Sequence, residues 1–267
     1  MKPILATFHG IGACESRTVE LAREHVLAGI EVTLDPRNVH VSVSAASLLS
    51  LKGGDRIPLR YHFPLCDHEI SSPEDAVAQD ALSTVRLAVR AIADEGGDYL
   101  TVHAALPADS YGTPRFEETI ERLTELREFA TAQGVVLALE NLRWGATCDP
   151  EIFLEVVDRS GVAITFDVGH AISSQFSAAD YSAARFIARC GTRLRSAHVY
   201  GREEDRHYPP TDLGVISPSL DALRTLGCHW WTVELPDPAE ARATRLMLAA
   251  YLAESGIAEL AESPALS

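Results

Sequence analysis

The chain has 267 residues, 46% hydrophobic and 23% charged, a balance that suits a globular domain with a large buried core. Its formal charge of −15, with Lys2 and Lys52 as the only lysines, argues against a nucleic-acid partner, whose affinity rests on Lys and Arg contacts to phosphate. No stretch approaches the roughly 20 apolar residues needed to span a bilayer, no cleavable leader is recognisable, and Cys14, Cys66, Cys148, Cys190 and Cys228 form no CxxC pair. The sequence therefore predicts a cytoplasmic protein with no membrane contact and with reduced, structural cysteines.

Short apolar runs alternate with longer amphipathic segments along the whole chain, the pattern of strands and crossover helices in a parallel sheet. The runs are Ile4 to Phe8, Gly29 to Leu34, Leu59 to Phe63, Tyr99 to His103, Val135 to Glu140, Val162 to Asp167, Leu194 to Val199 and Trp230 to Leu235. Between them, Pro73 to Asp94 and Pro114 to Gln133 carry apolar residues at helical spacing, among them Leu82, Val85, Val89 and Ile92. Ser72 before Pro73 predicts a helix start at the proline, while Gly96-Gly97 and Gly134 mark helix ends. Gly53 to Pro58 reads as a loop, and residues 261–267 as a frayed tail on a single domain of residues 1–260.

Eight such units fit either a closed (β/α)8 barrel or a doubly wound open sheet. The first turn, His9-Gly10-Ile11-Gly12-Ala13-Cys14, lacks the GxGxxG pattern of a dinucleotide site, so the expected class is α/β, a single-domain (β/α)8 TIM barrel.

Barrel enzymes carry their chemistry at the C-terminal ends of the strands. Six successive runs deliver a metal-ligand residue type there: His62, His103, Glu140, Asp167, His198 and Glu234. One such residue is commonly a hydrogen-bonded loop contact. Six in register need a compensating charge, because buried carboxylates and imidazoles are costly alone. A divalent cation supplies it, and oxygen and imidazole donors without thiolate suit Zn²⁺ or Mn²⁺, with Mg²⁺ and Co²⁺ also admitted. In Asp167-Val168-Gly169-His170 the glycine permits a tight turn that folds the imidazole back toward the carboxylate. Asp205 and His207 share one face if the charged loop after the seventh run is extended. An isolated DxH is more often a solvated surface feature; its place after a ligand-bearing strand argues for a contact.

These residues, in the segments Leu139-Glu140-Asn141-Leu142, Asp167 to His170, His198 to Pro210 and Val233-Glu234-Leu235, resemble the xylose isomerase-like barrel superfamily. That group includes sugar and sugar-phosphate isomerases and epimerases, dehydratases, and endonuclease IV-type abasic-site endonucleases. In the epimerase branch, the residues matching Glu140, Asp167, His198 and Glu234 hold one divalent ion, and the two glutamates exchange protons beside the substrate carbonyl. In the endonuclease branch, the counterparts of His62, His103, Glu140, Asp167, His170, His198, Asp205, His207 and Glu234 hold three zinc ions. The resemblance thus implies one to three ions per chain. Thr211-Asp212-Leu213-Gly214 departs from the Gly-acid-Gly turn that usually follows Pro-Pro in this branch, which leaves the substrate loop open, and Arg143, Arg202 and Arg206 are the cations near the site that remain for a phosphate.

The leading expectation is a metal-dependent isomerase or epimerase of a small sugar, sugar phosphate or related polyhydroxylated carbonyl compound. An enediolate stabilised by the metal would form, with Glu140 and Glu234 as acid and base and His170 orienting a substrate hydroxyl. A dehydratase would use the same chemistry. The alternative is a multinuclear zinc phosphoester hydrolase, favoured by the nine matching residues and disfavoured by the acidic charge and scarcity of lysine. A homo-oligomer stays open.

Overall fold

The computed structural model describes residues 3–10, 15–24, 28–51, 56–64, 69–176 and 182–254. Each apolar run of the sequence becomes a parallel strand: β1 (Ile4–His9), β2 (Ala28–Thr33), β3 (Leu59–His62), β4 (Tyr99–Val102), β5 (Val136–Glu140), β6 (Ala163–Asp167) and β7 (Leu194–His198). The short pair β8 (Arg202–Glu203) and β9 (His207–Tyr208) follows, and β10 (Trp230–Val233) completes the set. Strands β1 to β7 and β10 form a closed barrel of eight, with β1 pairing both β2 and β10. The expected single-domain TIM barrel is thus the observed one.

Around the barrel run α1 (Glu15–Arg23), α2 (Val39–Leu51), α3 (Asp75–Asp94), α4 (Pro114–Ala132), α5 (Pro150–Ser160), α6 (Val168–Ser173), α7 (Ala183–Cys190), α8 (Leu213–Thr225) and α9 (Pro238–Leu252). Helix α3 buries Leu82, Val85, Val89 and Ile92, and α4 buries Phe116, Ile120, Leu123 and Leu126, the stripes expected of helices packed on a sheet. They meet the outer faces of the strands, where Ile30, Tyr61, Leu100, Leu139, Ile164, Phe166 and Trp231 are buried.

Helix α3 begins at Asp75 rather than at Pro73. The hydroxyl of Ser72 accepts from the Glu74 amide at 3.1 Å, closing a turn that delays the first helical residue. Helices α3 and α4 end at Gly96 (φ +75°) and Gly134 (φ +76°), as the sequence suggests. Cys148, Cys190 and Cys228 are buried free thiols, whereas Cys14, Cys66, residues 11–14 of the first turn, residues 53–55 of the expected loop and the 261–267 tail lie outside the described residues. Among the described residues, no helix is long and apolar enough to cross a membrane.

The inner face of the barrel differs from the branched apolar layers common in this architecture. Its middle layer is polar: Glu31, Thr101, Thr165 and Thr232 are fully buried and linked to one another across the barrel. Above them the strand ends carry the candidate ligands.

Candidate metal centre

Strand alternation puts His62, Glu140, Asp167, His198 and Glu234 on the same inner face as the polar layer, one step toward the mouth. Glu140, Asp167, His198 and Glu234 each offer one ligand atom, all within 4.8 Å of one another. The Nδ1 of His198 lies 2.8 Å from Glu234 Oε2, 3.2 Å from Glu140 Oε2 and 3.8 Å from Asp167 Oδ2. Yet these four buried atoms make no hydrogen bond with correct geometry among the described residues. Close approach without hydrogen-bond alignment means that the atoms are aimed at a common point and not at each other. Buried polar atoms are rarely left so, and the set of three carboxylates with one imidazole fits a divalent cation.

His62 and His103 complete one side. Their Nε2 atoms are 3.2 Å apart, and they lie 3.3 and 3.2 Å from Glu140 Oε2. His62, Glu140 and His198 form a second possible ligand set.

A third set is His170, Glu203 and His207. His170 donates Nδ1–H to the Asn141 carbonyl at 2.8 Å, and His207 donates Nδ1–H to the Glu234 carbonyl at 3.0 Å. Each imidazole thereby turns Nε2 toward the Glu203 carboxylate, at 3.2 and 4.0 Å. The sequence reading missed Glu203, and it placed Asp205 beside His207 on the premise of an extended loop. That loop is instead the β8–β9 hairpin, in which Glu203 pairs across from His207. Asp205 falls in the connecting turn, exposed, and accepts from the Tyr208 hydroxyl at 2.8 Å. The structure therefore brings together His62, His103, Glu140, Asp167, His170, His198, His207 and Glu234, and leaves Asp205 outside.

The DxxH segment also folds differently from the tight turn expected. Asp167 caps the short helix α6, its Oδ1 accepting from the His170 amide at 2.7 Å, and the imidazole returns to 3.4 Å from Asp167 Oδ2 by one helical turn. Gly169 is needed for closeness: a Cβ there would lie 2.0 Å from the Tyr200 ring. Tyr200 in turn stacks on His207 with centroids 4.1 Å apart and planes at 10°. Asn141 holds β5 to β6 beyond the strand ends, donating to the Asp167 carbonyl at 3.0 Å and accepting from its amide at 2.8 Å.

Charge in the cluster is set by burial against these contacts. Burial raises the Asp167 carboxyl to about 7 despite His170, with Glu140 and Glu234 adding repulsion. Burial pushes the Glu234 carboxyl up, but His198 outweighs it and holds the group at about 2. Glu140 likewise stays well below the usual carboxylate range because His198 and His103 overcome its burial. Burial lowers His170, but the Asp167 and Glu203 carboxylates raise it to about 10, and Glu140 and Glu234 carry His198 well above its ordinary value against burial. Burial wins at His103, which is lowered, whereas the nearby Glu140 carboxylate outweighs burial at His62, which is raised. Protonated imidazoles thus balance the carboxylates, a role that a cation would take over with release of protons.

A family model for xylose isomerase-like TIM barrels matches residues 13–251. An uncharacterised protein of Methanocaldococcus jannaschii is 37% identical over 159 residues, which cover 59% of this chain and 68% of that protein. A solved structure of a D-tagatose 3-epimerase-like protein superposes with TM-score 0.75 at 18% identity, covering 97% of this chain and 100% of its own. An L-ribulose 3-epimerase structure gives TM-score 0.70 at 16% identity, covering 99% and 100%. A Thermus thermophilus protein soaked with zinc chloride gives 0.71 at 21%, covering 95% and 99%. At these identities the solved structures share the fold.

Proposed function

The chain belongs to the xylose isomerase-like TIM barrel family, and from that premise we propose that it is a metal-dependent isomerase or epimerase of a small ketose or related polyhydroxylated carbonyl compound. One observation carries the reading: Glu140 and Glu234 each direct a buried, unpartnered oxygen into the cluster, with His198 Nδ1 between them at 3.2 and 2.8 Å. Bound there by Glu140, Asp167, His198 and Glu234, a divalent ion would polarise substrate carbonyl and hydroxyl oxygens and spread the negative charge that follows loss of a carbon-bound proton.

One glutamate, ionised, removes the proton from the carbon beside the carbonyl. The other, carrying a proton, delivers it to the opposite face, and the roles exchange in the reverse direction. His170, with Nδ1 committed to the Asn141 carbonyl and Nε2 3.2 Å from Glu203, would orient a substrate hydroxyl through Nε2 in exchange for the Glu203 contact.

The arginines near the mouth support an unphosphorylated substrate. Arg143 pairs with Glu203 at 2.9 Å, Arg202 with Glu204 at 2.8 Å, and Arg206 with Glu240 through two bonds of 2.6 and 2.9 Å. Each is already engaged by a carboxylate. The position of Asp205 in the exposed turn also supports the small-molecule reading over the three-zinc nuclease, which needs that residue as a ligand. The protons exchanged offer the test. Metal-loaded protein, incubated with a panel of ketoses in D₂O, should place deuterium on a carbon adjacent to the carbonyl and give a mixture of epimers or isomers. No incorporation with any ketose, together with cleavage of abasic-site DNA, would establish the hydrolase instead.

A further inference from the structure

Among the described residues, Glu31 is the one buried carboxylate of the barrel interior that does not stand at a strand end. It sits in the middle of β2, fully buried, beneath the metal centre. His198 Nε2 lies 3.0 Å from Glu31 Oε1, Thr101 Oγ1 lies 3.2 Å from the same oxygen, and Thr232 Oγ1 donates to Oε2. An ionised carboxylate can only accept, so the direction of every hydrogen bond leading to it is fixed. Thr101 donates to Glu31; Thr165, 2.9 Å from Thr101, must then donate to Thr101, and the Tyr99 hydroxyl, 3.0 Å from Thr165, must donate to Thr165. On the other side Trp230 donates Nε1–H to Thr232 at 2.9 Å, and Thr232 passes its own hydrogen to Glu31. Two chains of donors therefore converge on one carboxylate, and the remaining donor at that carboxylate is His198.

We propose that Glu31 is the positioning residue of the metal centre, fixing His198 with hydrogen on Nε2 so that the Nδ1 lone pair faces the ion. The proposal rests on the metal reading above. The carboxylate orients the ring, selects its tautomer and makes the imidazole a more basic donor, as partners behind ligating histidines do. The convergent hydroxyls hold Glu31 itself in place, so the polar layer of the barrel acts on the centre through a single side chain. Removing the charge while keeping the shape should then weaken metal binding without touching a ligand.

The experiment is a competition titration of chelated, full-length protein with Zn²⁺ and Co²⁺, comparing the wild type with Glu31→Gln and Thr232→Val. Glu31→Gln should bind about 10- to 100-fold more weakly. Thr232→Val, which keeps the carboxylate but loses one of its donors, should show a smaller loss in the same direction and stands in if Glu31→Gln does not fold. In the zinc-loaded wild type, nitrogen-15 NMR should show hydrogen on His198 Nε2 with a strongly downfield proton, which moves upfield in Glu31→Gln. Affinities within twofold of wild type in the folded variants, or a His198 ligating through Nε2, would overturn the assignment of Glu31 alone. A wild type that binds neither metal would overturn it together with the metal reading.

Discussion

Replacing Glu140 by Gln changes charge at nearly constant volume, so it isolates what the carboxylate does. Its Oε2 lies 3.2 to 3.3 Å from ring nitrogens of His62, His103 and His198, and Oε1 lies 3.4 Å from His170 Nδ1. An acid/base group typically contributes 10²- to 10⁴-fold, and at 1.36 kcal/mol per tenfold the variant should lose about 3–5 kcal/mol of transition-state stabilisation. No cavity forms, and the neighbouring imidazoles can shed protons. The loss in stability should therefore stay below the roughly 3–5 kcal/mol seen when a buried charge is left unpaired. The assay is the initial rate of epimer formation in saturating metal, with the thermal midpoint recorded alongside. A variant that keeps more than about a tenth of wild-type turnover would contradict both the ligand and the proton-transfer role of Glu140.

The His170–Glu203–His207 set predicts that His207→Ala and Glu203→Gln each lower turnover or the number of bound ions, whereas Asp205→Asn, in the exposed turn, leaves both near wild type. The reverse order of effects would show that the hairpin rearranges on metal binding. Gly169→Ala should drive a methyl into the Tyr200 ring and displace its stack on His207. Overpacking of this kind costs about 1–3 kcal/mol, read as a lower thermal midpoint, and an unchanged midpoint would mean that the loop yields freely. In chelated protein, Asp167 and His170 have folded values raised to about 7 and about 10. Their stabilising contributions are complete below the unfolded values and are lost as pH rises through the folded ones, whereas Glu234, held at about 2, loses its contribution only on acidification. The chelated midpoint should fall as pH rises from about 4 to 7 through Asp167 and on to about 10 through His170, and recover with saturating metal; a flat chelated profile would refute this charge assignment.

The barrel is legible because its outer strand faces are continuous apolar runs, and six of these runs end in ligand-type residues that the closed sheet brings to one rim. What the sequence hides is whatever depends on the inner face and on turns. Glu31 lies inside an apolar run, where nothing in its spacing separates a buried carboxylate from an exposed one. Thr101 and Thr165 read as ordinary strand residues, and only barrel closure brings them together. Glu203 was hidden by three further acidic or basic neighbours in Glu204-Asp205-Arg206, which look like a solvated loop until the hairpin register sets Glu203 opposite His207. Gly169 was legible as necessary, but for the wrong reason. The constraint is the Tyr200 ring, from a strand end that the local sequence does not mention.

The most direct test of the metal centre is a crystal structure of the metal-loaded protein with anomalous scattering collected at the edge of the bound ion. The expected result is a peak among Glu140 Oε2, Asp167 Oδ2, His198 Nδ1 and Glu234 Oε2, at ligand distances of about 2.0–2.2 Å for zinc. A fully loaded crystal with no peak among those four atoms, or with ions only at surface carboxylates, would contradict it.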